Sequence, residues 1–191
     1  MSSVEELKKI CKTQERKLCS RLKNKKITEN TNIDDRFYSP LKYFIGLNDN
    51  EIETRIEEIN KGRKTDYKDP LSYKPFSTDI GKTTKKSKYT KLFYELYPNA
   101  ISLEDKANVT GIPLDILKKV YNKGLAAWRT GHRPGASQGS WGIARVHSFI
   151  MRGCSFFTSD KKLAVEARSR SKKADQWYKK IKCHCDKTCK E

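Results

Sequence analysis

Apolar residues recur at helical spacing along most of the chain, and this pattern predicts a mainly α-helical protein. In residues 99–130, Ser102 and Asp105 have the spacing of a capping box, and Gly111 suits the left-handed turn that ends their short helix. Pro113 then fits the first turn of a second helix. The inward stripe of that helix is formed by Leu117, Val120, Tyr121, Gly124, Leu125 and Trp128. The two helices therefore predict a helix-turn-helix-like unit.

Further elements are expected on either side of this unit. A narrow apolar stripe over residues 3–23 predicts an N-terminal amphipathic helix. Other helices are expected at residues 49–61, 88–97, 138–151 and 160–168. Residues 62–87 contain two prolines and a Lys- and Thr-rich run without a helical or strand period, so they predict an extended basic arm. The tyrosines of this arm either tack it to the body or stack on bases, and tacking is the favoured alternative.

These elements predict a small helical domain with extended basic arms. We expect an N-terminal helix and linker over residues 1–35, and an aromatic anchor, a short helix and the basic arm over 36–87. The central helical domain is expected over 88–170, followed by a basic, Cys-rich tail over 171–191. No apolar run is long enough to cross a bilayer, and the N-terminus lacks a signal-peptide core, so we expect neither a membrane span nor secretion.

Charge narrows the classes of function. The chain has 191 residues and a formal net charge of +18. Residues 61–91 carry 10 basic and 3 acidic side chains, and residues 161–191 carry 11 and 4. Because each Lys or Arg placed on a phosphate releases a counterion, this distribution favours a polyanionic partner, above all nucleic acid. The alternative is a surface that is basic for solubility.

The segment Ile116–Ser159 contains no Asp or Glu. It includes a Gly-rich loop, residues 131–142, whose backbone can approach a ligand closely. We therefore expect this segment to contact nucleic acid, DNA rather than RNA, mainly at phosphates. The predicted contact residues are Lys118, Lys119, Asn122, Lys123, Arg129, His132, Arg133, Gln138, Arg145 and Arg152. The alternative is an ordinary helical hairpin with a solvated lysine face.

The same lack of carboxylates argues against an enzyme. A metal-dependent nuclease or phosphotransferase needs carboxylates to hold Mg²⁺. The Gly-rich loop also lacks the Gly-Lys-Ser/Thr ending of a phosphate-binding P-loop. His147 and Cys154 could be drawn as a nucleophile pair, but nothing in their spacing requires that chemistry. We therefore expect no catalytic residues and no catalytic cofactor.

The C-terminal tail places four soft metal ligands within seven residues: Cys183, His184, Cys185 and Cys189. This set could hold Zn²⁺, although a single Cys-x-Cys is a weaker signal than paired C-x₂-C motifs. A disulfide to Cys11 or Cys19, or free thiols in a reducing compartment, are the alternatives, and the spacing does not decide between them.

One run of residues resembles a known group of proteins. Residues 130–135 read Thr-Gly-His-Arg-Pro-Gly, and residues 137–149 read Ser-Gln-Gly-Ser-Trp-Gly-Ile-Ala-Arg-Val-His-Ser-Phe. This run resembles an uncharacterised family of basic proteins found in large DNA viruses and some phages. The resemblance implies a viral setting, in the virion or in a viral factory in the host cytoplasm. It implies no activity, and the N-terminal helix and Cys-rich tail lie outside it.

Together, these features predict a non-enzymatic viral nucleic-acid-binding protein. The central domain would bind DNA through phosphates, and the basic arms would add affinity. The alternative is a minor capsid or virion assembly protein whose arm threads between capsid subunits. In that case the partners are capsid or other virion proteins.

Overall fold

A computed structural model gives the structure of the chain and describes residues 39–185. Within this range most residues are helical and no β-strand occurs, so the prediction of a mainly α fold is confirmed. None of the helices in this range is long and apolar enough to span a bilayer. The predicted helix over residues 3–23, together with Cys11 and Cys19, lies outside the described residues.

Eight α-helices and three short 3₁₀ turns make up the described part of the chain. The helices are α1 (Asp49–Lys64), α2 (Lys88–Leu96), α3 (Leu103–Thr110), α4 (Leu114–Trp128), α5 (Gln138–Ile150), α6 (Cys154–Phe157), α7 (Lys161–Arg170) and α8 (Lys172–Lys180). The 3₁₀ turns are Leu41–Tyr43, Pro70–Tyr73 and Ser77–Asp79.

The described chain forms two compact units. The first unit contains residues 39–84 together with 129–136, and the second contains residues 85–128 and 137–185. The loop 129–136, which the sequence analysis included in the central domain of residues 88–170, therefore belongs to the first unit. Helix α8, which the sequence placed in the tail, belongs to the second unit.

The first unit is built on α1. Asn48 caps this helix: its Oδ1 accepts a hydrogen bond from the Glu51 N–H at 2.9 Å, and the Glu51 carboxylate accepts one from the Asn48 N–H. The apolar core consists of Phe44, Leu47, Ile52, Ile56, Ile59 and Phe76. The predicted arm, residues 62–87, has no regular structure beyond the end of α1 and two 3₁₀ turns, but it is attached to the body, because Phe76 and Thr78 are buried. Burial of Phe76 anchors this segment to the first unit.

The second unit is centred on the crossing of α4 and α5. Gly124 and Gly142 allow this contact, because a Cβ on Gly124 would lie 2.7 Å from the Gly142 Cα. The predicted capping box is present at the start of α3, where Ser102 Oγ accepts a hydrogen bond from the Asp105 N–H at 2.9 Å. The predicted left-handed turn is also present, since Gly111 has a φ of 74°.

The C-terminal segment closes the core of the second unit. Tyr178 of α8 is buried, and the Trp177 Nε1–H donates a hydrogen bond to the Ile150 carbonyl at 3.0 Å. Beyond α8 the chain continues to Cys185, which forms a disulfide with Cys154 at the start of α6. Helix α8 is therefore part of the folded body.

Candidate nucleic-acid interface

The predicted contact residues are divided between the two units. The first unit holds Arg129, His132 and Arg133. The second unit holds Lys118, Lys119, Asn122, Lys123, Gln138, Arg145 and Arg152.

Arg145 of α5 is engaged inside the second unit. Its Nε and Nη2 donate hydrogen bonds to the two carboxylate oxygens of Asp160, at 2.9 and 2.8 Å. The Asp160 side chain is fully buried, and Lys123 Nζ lies 2.8 Å from its Oδ1. A buried carboxylate needs such partners, because an unpaired charge in the interior is strongly destabilising. The Arg145 guanidinium therefore serves the fold rather than an open cationic surface.

The lysines of α4 are exposed but face carboxylates. Lys118 lies 3.8 Å from Glu104, and Lys119 lies 3.7 Å from Asp115 and 3.3 Å from Glu166. The cations of this face are Lys118, Lys119, Lys123, Arg145 and Arg170, and its carboxylates are Glu104, Asp115, Asp160 and Glu166. These ion pairs offset most of the charge of the lysines that were predicted to read DNA.

Three further predicted residues of the second unit differ in their environment. Arg152 adopts a positive φ of 47°, and its Nη1 donates a hydrogen bond to the Ile181 carbonyl at 3.1 Å. Arg152 therefore holds the tail. Asn122 is exposed and Gln138 is half-buried, and neither side chain forms a hydrogen bond within residues 39–185.

Arg129 is used by the backbone of the first unit. Its Nη1 donates hydrogen bonds to the Gly62 carbonyl and, at 2.7 Å, to the Thr65 carbonyl. The Arg129 backbone also packs so closely on Gly62 that a Cβ there would overlap the Arg129 carbonyl oxygen. Arg129 thus fastens the end of α1 and does not present its guanidinium to a ligand.

His132 belongs to a buried polar network in the same unit. Its Nε2–H donates a hydrogen bond to the Asp79 carboxylate at 2.7 Å. The buried Arg55 donates to Asp79 at 3.0 Å and to the His132 carbonyl at 2.9 Å. Burial alone would raise the pKa of Asp79. The hydrogen bonds from His132 and Gly135 and the charge of Arg55 lower this pKa by more than burial raises it, so the carboxyl stays ionised. Sequence reasoning missed Arg55 and Asp79, because they are far from the loop in the chain.

Arg133 is the predicted contact arginine whose guanidinium is exposed to solvent. In the loop 131–136 its neighbours His132 and Pro134 are buried, whereas the Arg133 side chain is exposed. Its guanidinium forms no hydrogen bond or ion pair with the residues that the structure describes. The buried network around Asp79 therefore holds a loop that displays one unpaired guanidinium.

A second cationic surface lies at one end of the second unit, and the sequence analysis did not predict it. The Tyr89 hydroxyl of α2 accepts a hydrogen bond from the Cys154 N–H at 3.4 Å and donates one to the His184 carbonyl at 3.4 Å. The tail therefore lies beside the start of α2. Neither residues 85–91 nor residues 180–185 contain an Asp or Glu. We call their exposed lysines the basic end: Lys85, Lys86, Lys88, Lys91, Lys180 and Lys182.

In the cysteine tail, Cys185 pairs with Cys154, a partner that the sequence analysis did not consider. Cys185 is bonded to Cys154, with Cα atoms 4.7 Å apart, and Cys183 is also disulfide-bonded. A disulfide sulfur is not a thiolate ligand, so the predicted zinc set Cys183, His184, Cys185 and Cys189 is not available in this oxidised form. Cys189 lies outside the described residues. Within residues 39–185, no group of three or more His, Cys, Asp or Glu side chains is placed to hold a metal ion.

Comparison with known proteins identifies a family but no activity. No curated protein and no solved structure matches the chain. The model of one family, DUF5824, matches residues 40–166, well over half of the sequence. The match includes the loop 131–136 and helices α1 to α6, and it ends within α7. The chain therefore belongs to DUF5824, a family of unknown function.

Proposed function

We propose that the protein binds nucleic acid, DNA rather than RNA, through phosphate contacts and without catalysing a reaction. The observation that carries this proposal is the basic end, where two lysine-rich segments without acidic residues meet beside Tyr89. Each lysine placed on a phosphate releases counterions, which favours binding at moderate salt. The net charge of +18 attracts the same class of partner over longer distances.

The basic end is a better phosphate surface than the face of α4. Lys85, Lys86 and Lys182 form no ion pair with the described residues. Lys118 and Lys119 already face carboxylates, so a phosphate would have to replace an existing ion pair. That exchange releases less free energy than a new contact made by an unpaired lysine.

Arg133 is the second contact in this proposal. Its loop is ordered when the first unit folds, so little conformational entropy remains to be lost on binding. A guanidinium can also donate two hydrogen bonds to one phosphate. The helix-turn-helix-like pair α3 and α4 then acts mainly as a scaffold, with Asn122 and Lys118 as weaker contacts at its surface.

Two features of the second unit support a non-enzymatic role. Cys154 is in a disulfide, so it is not a nucleophilic thiolate. His147 is fully buried, where its ring stacks on Phe93 at 4.6 Å and burial lowers its pKa to about 3. The two residues that the sequence offered as a nucleophile pair therefore have structural roles.

The setting that we propose is the virion or a viral factory in the host cytoplasm. It is supported by the resemblance of residues 130–149 to proteins of large DNA viruses. The competing hypothesis in that setting is a minor capsid or assembly protein that binds capsid proteins. Competition separates the two, because excess duplex DNA should displace a DNA-binding protein from particles and leave a capsid-bound protein in place.

The binding test is a fluorescence-polarisation titration with duplex and single-stranded oligonucleotides at two ionic strengths. The variant Lys85→Gln/Lys86→Gln/Lys180→Gln/Lys182→Gln removes four charges from the basic end. We expect the duplex affinity to fall by at least about tenfold, and the slope of log affinity against log salt to become shallower by about 3.

The matched control is Lys61→Gln/Lys64→Gln/Lys161→Gln/Lys162→Gln. These four lysines are also exposed and form no ion pair with the described residues. We expect the control to keep most of the affinity of the wild type. Equal losses in the two variants would show that binding follows total charge and would contradict a specific site at the basic end.

A further inference from the structure

We infer that the Cys154–Cys185 disulfide makes nucleic-acid binding dependent on redox state, with tight binding in the oxidised protein and weaker binding in the reduced one. This inference rests on the proposed function, because it concerns the same basic end. Its physical basis is that the disulfide holds one of the two lysine-rich segments in place.

Besides the Cys154–Cys185 disulfide and the disulfide of Cys183, hydrogen bonds attach the end of the tail to the second unit. Helix α8 ends at Lys180, and residues 182–185 have no regular secondary structure. The His184 N–H donates a hydrogen bond to the Arg152 carbonyl at 3.1 Å, and Arg152 Nη1 donates one to the Ile181 carbonyl at 3.1 Å. The Tyr89 hydroxyl adds a longer one, at 3.4 Å, to His184. The disulfide is thus the one covalent link seen between this tail and the start of α6.

Without that link the tail should fray. Each hydrogen bond contributes only about 1 kcal/mol net, and residues 182–185 belong to no helix that would hold them in place. Lys182, two residues before His184, would then move away from Tyr89 at the start of α2, while α8 stays packed through Trp177 and Tyr178. The oxidised protein binds more tightly because its lysines are already arranged.

The redox step is an ordinary thiol–disulfide exchange with a dithiol reductant. A thiolate of the reductant attacks the half-buried Cys154 sulfur and forms a mixed disulfide, and Cys185 leaves as a thiolate that takes a proton from water. The second thiol of the reductant then displaces Cys154. The protein gains two electrons and two protons, and the dithiol becomes a disulfide.

The proposed setting supplies both redox conditions. Disulfides persist outside the cell and are reduced by the thiol systems of the cytosol. A protein that passes between a particle and a host cytoplasm would therefore bind its nucleic acid tightly in the particle. It would bind the nucleic acid more weakly in the cytoplasm.

The test compares oxidised and dithiothreitol-reduced full-length protein in titrations with a labelled duplex oligonucleotide. We expect reduction to weaken binding by about fivefold and to make the salt slope shallower by about 1, the loss of one lysine contact. Reoxidation should restore both values. Trypsin should cut after Lys182 faster in the reduced protein, which reports release of the tail directly.

The variant Cys154→Ser/Cys185→Ser separates this disulfide from the one at Cys183. It should bind like the reduced wild type whether or not dithiothreitol is present. If it fails to fold, Cys183→Ser decides, because this variant keeps the Cys154–Cys185 disulfide and should still bind more weakly on reduction. A wild type that binds duplex equally well in both redox states would overturn the inference and leave the proposed function standing. A wild type that binds no nucleic acid in either state would overturn both.

Discussion

Two regions of this protein are rich in cations and contain no acidic residue in the sequence, but only one of them is cationic in space. The segment Ile116–Ser159 has no Asp or Glu, yet the fold brings Glu104, Asp115, Asp160 and Glu166 to its lysines and to Arg145. At the basic end, residues 85–91 and 180–185 meet without bringing a carboxylate.

The comparison shows that a run without acidic residues predicts a binding surface only if no carboxylate arrives from elsewhere in the fold. Asp160 is the clearest example. It follows the acid-free segment by one residue and is fully buried against Arg145 and Lys123. The cations of the central segment mostly stabilise the fold, whereas Lys85, Lys86, Lys91, Lys180 and Lys182 of the basic end form no ion pair with the described residues.

The largest expected effect comes from breaking the central ion pair. Arg145→Ala leaves Asp160 buried with Lys123 as its remaining cation, so we expect the free energy of unfolding to fall by about 3 to 5 kcal/mol. The measurement is urea denaturation. The affinity of the folded fraction for duplex DNA should not change.

The control for that variant is Arg168→Ala. Arg168 pairs with Asp175 but its side chain is 44% exposed, so its loss should cost less than about 1 kcal/mol. If Arg145→Ala instead weakened DNA binding and left stability intact, the central segment would be the binding surface after all.

The next effect concerns the stability of the unit that carries the basic end. The Cys154–Cys185 disulfide joins residues 31 positions apart. In the chain-entropy account, closing a loop of this length stabilises a protein by about 3.7 kcal/mol. We expect Cys154→Ser/Cys185→Ser to lose about that amount in urea denaturation. A loss below about 0.5 kcal/mol would mean that the tail is held mainly by its other contacts.

Acid should destabilise the second unit through His147. Burial, and then the nearby charge of Lys106, lower the pKa of His147 from 6.5 to about 3 in the folded protein. Between these values the unfolded chain binds a proton that the folded protein does not, so the free energy of unfolding falls by about 1.4 kcal/mol per pH unit as pH decreases below 6.5.

The measurement is urea denaturation at a series of pH values, with His147→Gln as the non-titrating reference. The difference between wild type and variant isolates the contribution of this histidine. Equal pH dependence in the two proteins would contradict it. The two cationic regions are best compared above pH 6.5, where His147 is neutral in both the folded and the unfolded states.

A smaller effect is expected at Arg133, the open guanidinium of the first unit. Arg133→Ala should weaken duplex binding by about fivefold and make the salt slope shallower by about 1. Its effect on stability should stay within about 0.5 kcal/mol, because the side chain is exposed and unpaired. The reference is Arg129→Ala, which we expect to lower stability because it removes donors to the Gly62 and Thr65 carbonyls.

The local features of the fold could be predicted from the sequence. Ser102 and Asp105 define the start of α3 and Gly111 defines its end, all through interactions within a few residues, and the structure contains them. The Ser137 cap of α5 is local in the same way. Periodicity and capping are short-range, so one sequence is enough to find them.

The candidate site could not be predicted because it depends on contacts between distant residues. Nothing in the spacing of Cys154 and Cys185 distinguishes their pairing from a bond to Cys11 or Cys19. The ion pairs of Lys119 with Glu166 and of His132 with Asp79 are likewise set by packing. The burial of Phe76 in segment 62–87 could not be predicted either, because this residue belongs to no periodic pattern.

The most direct measurement compares the salt dependence of duplex binding in two variants, each of which changes two lysines that are adjacent in the sequence. Lys85→Gln/Lys86→Gln and Lys118→Gln/Lys119→Gln each remove two charges, from the basic end and from α4 respectively. We predict that the salt slope of duplex binding becomes shallower by about 2 in the first variant and by less than about 0.5 in the second. A larger change in the second variant would contradict the account and return the binding surface to α4.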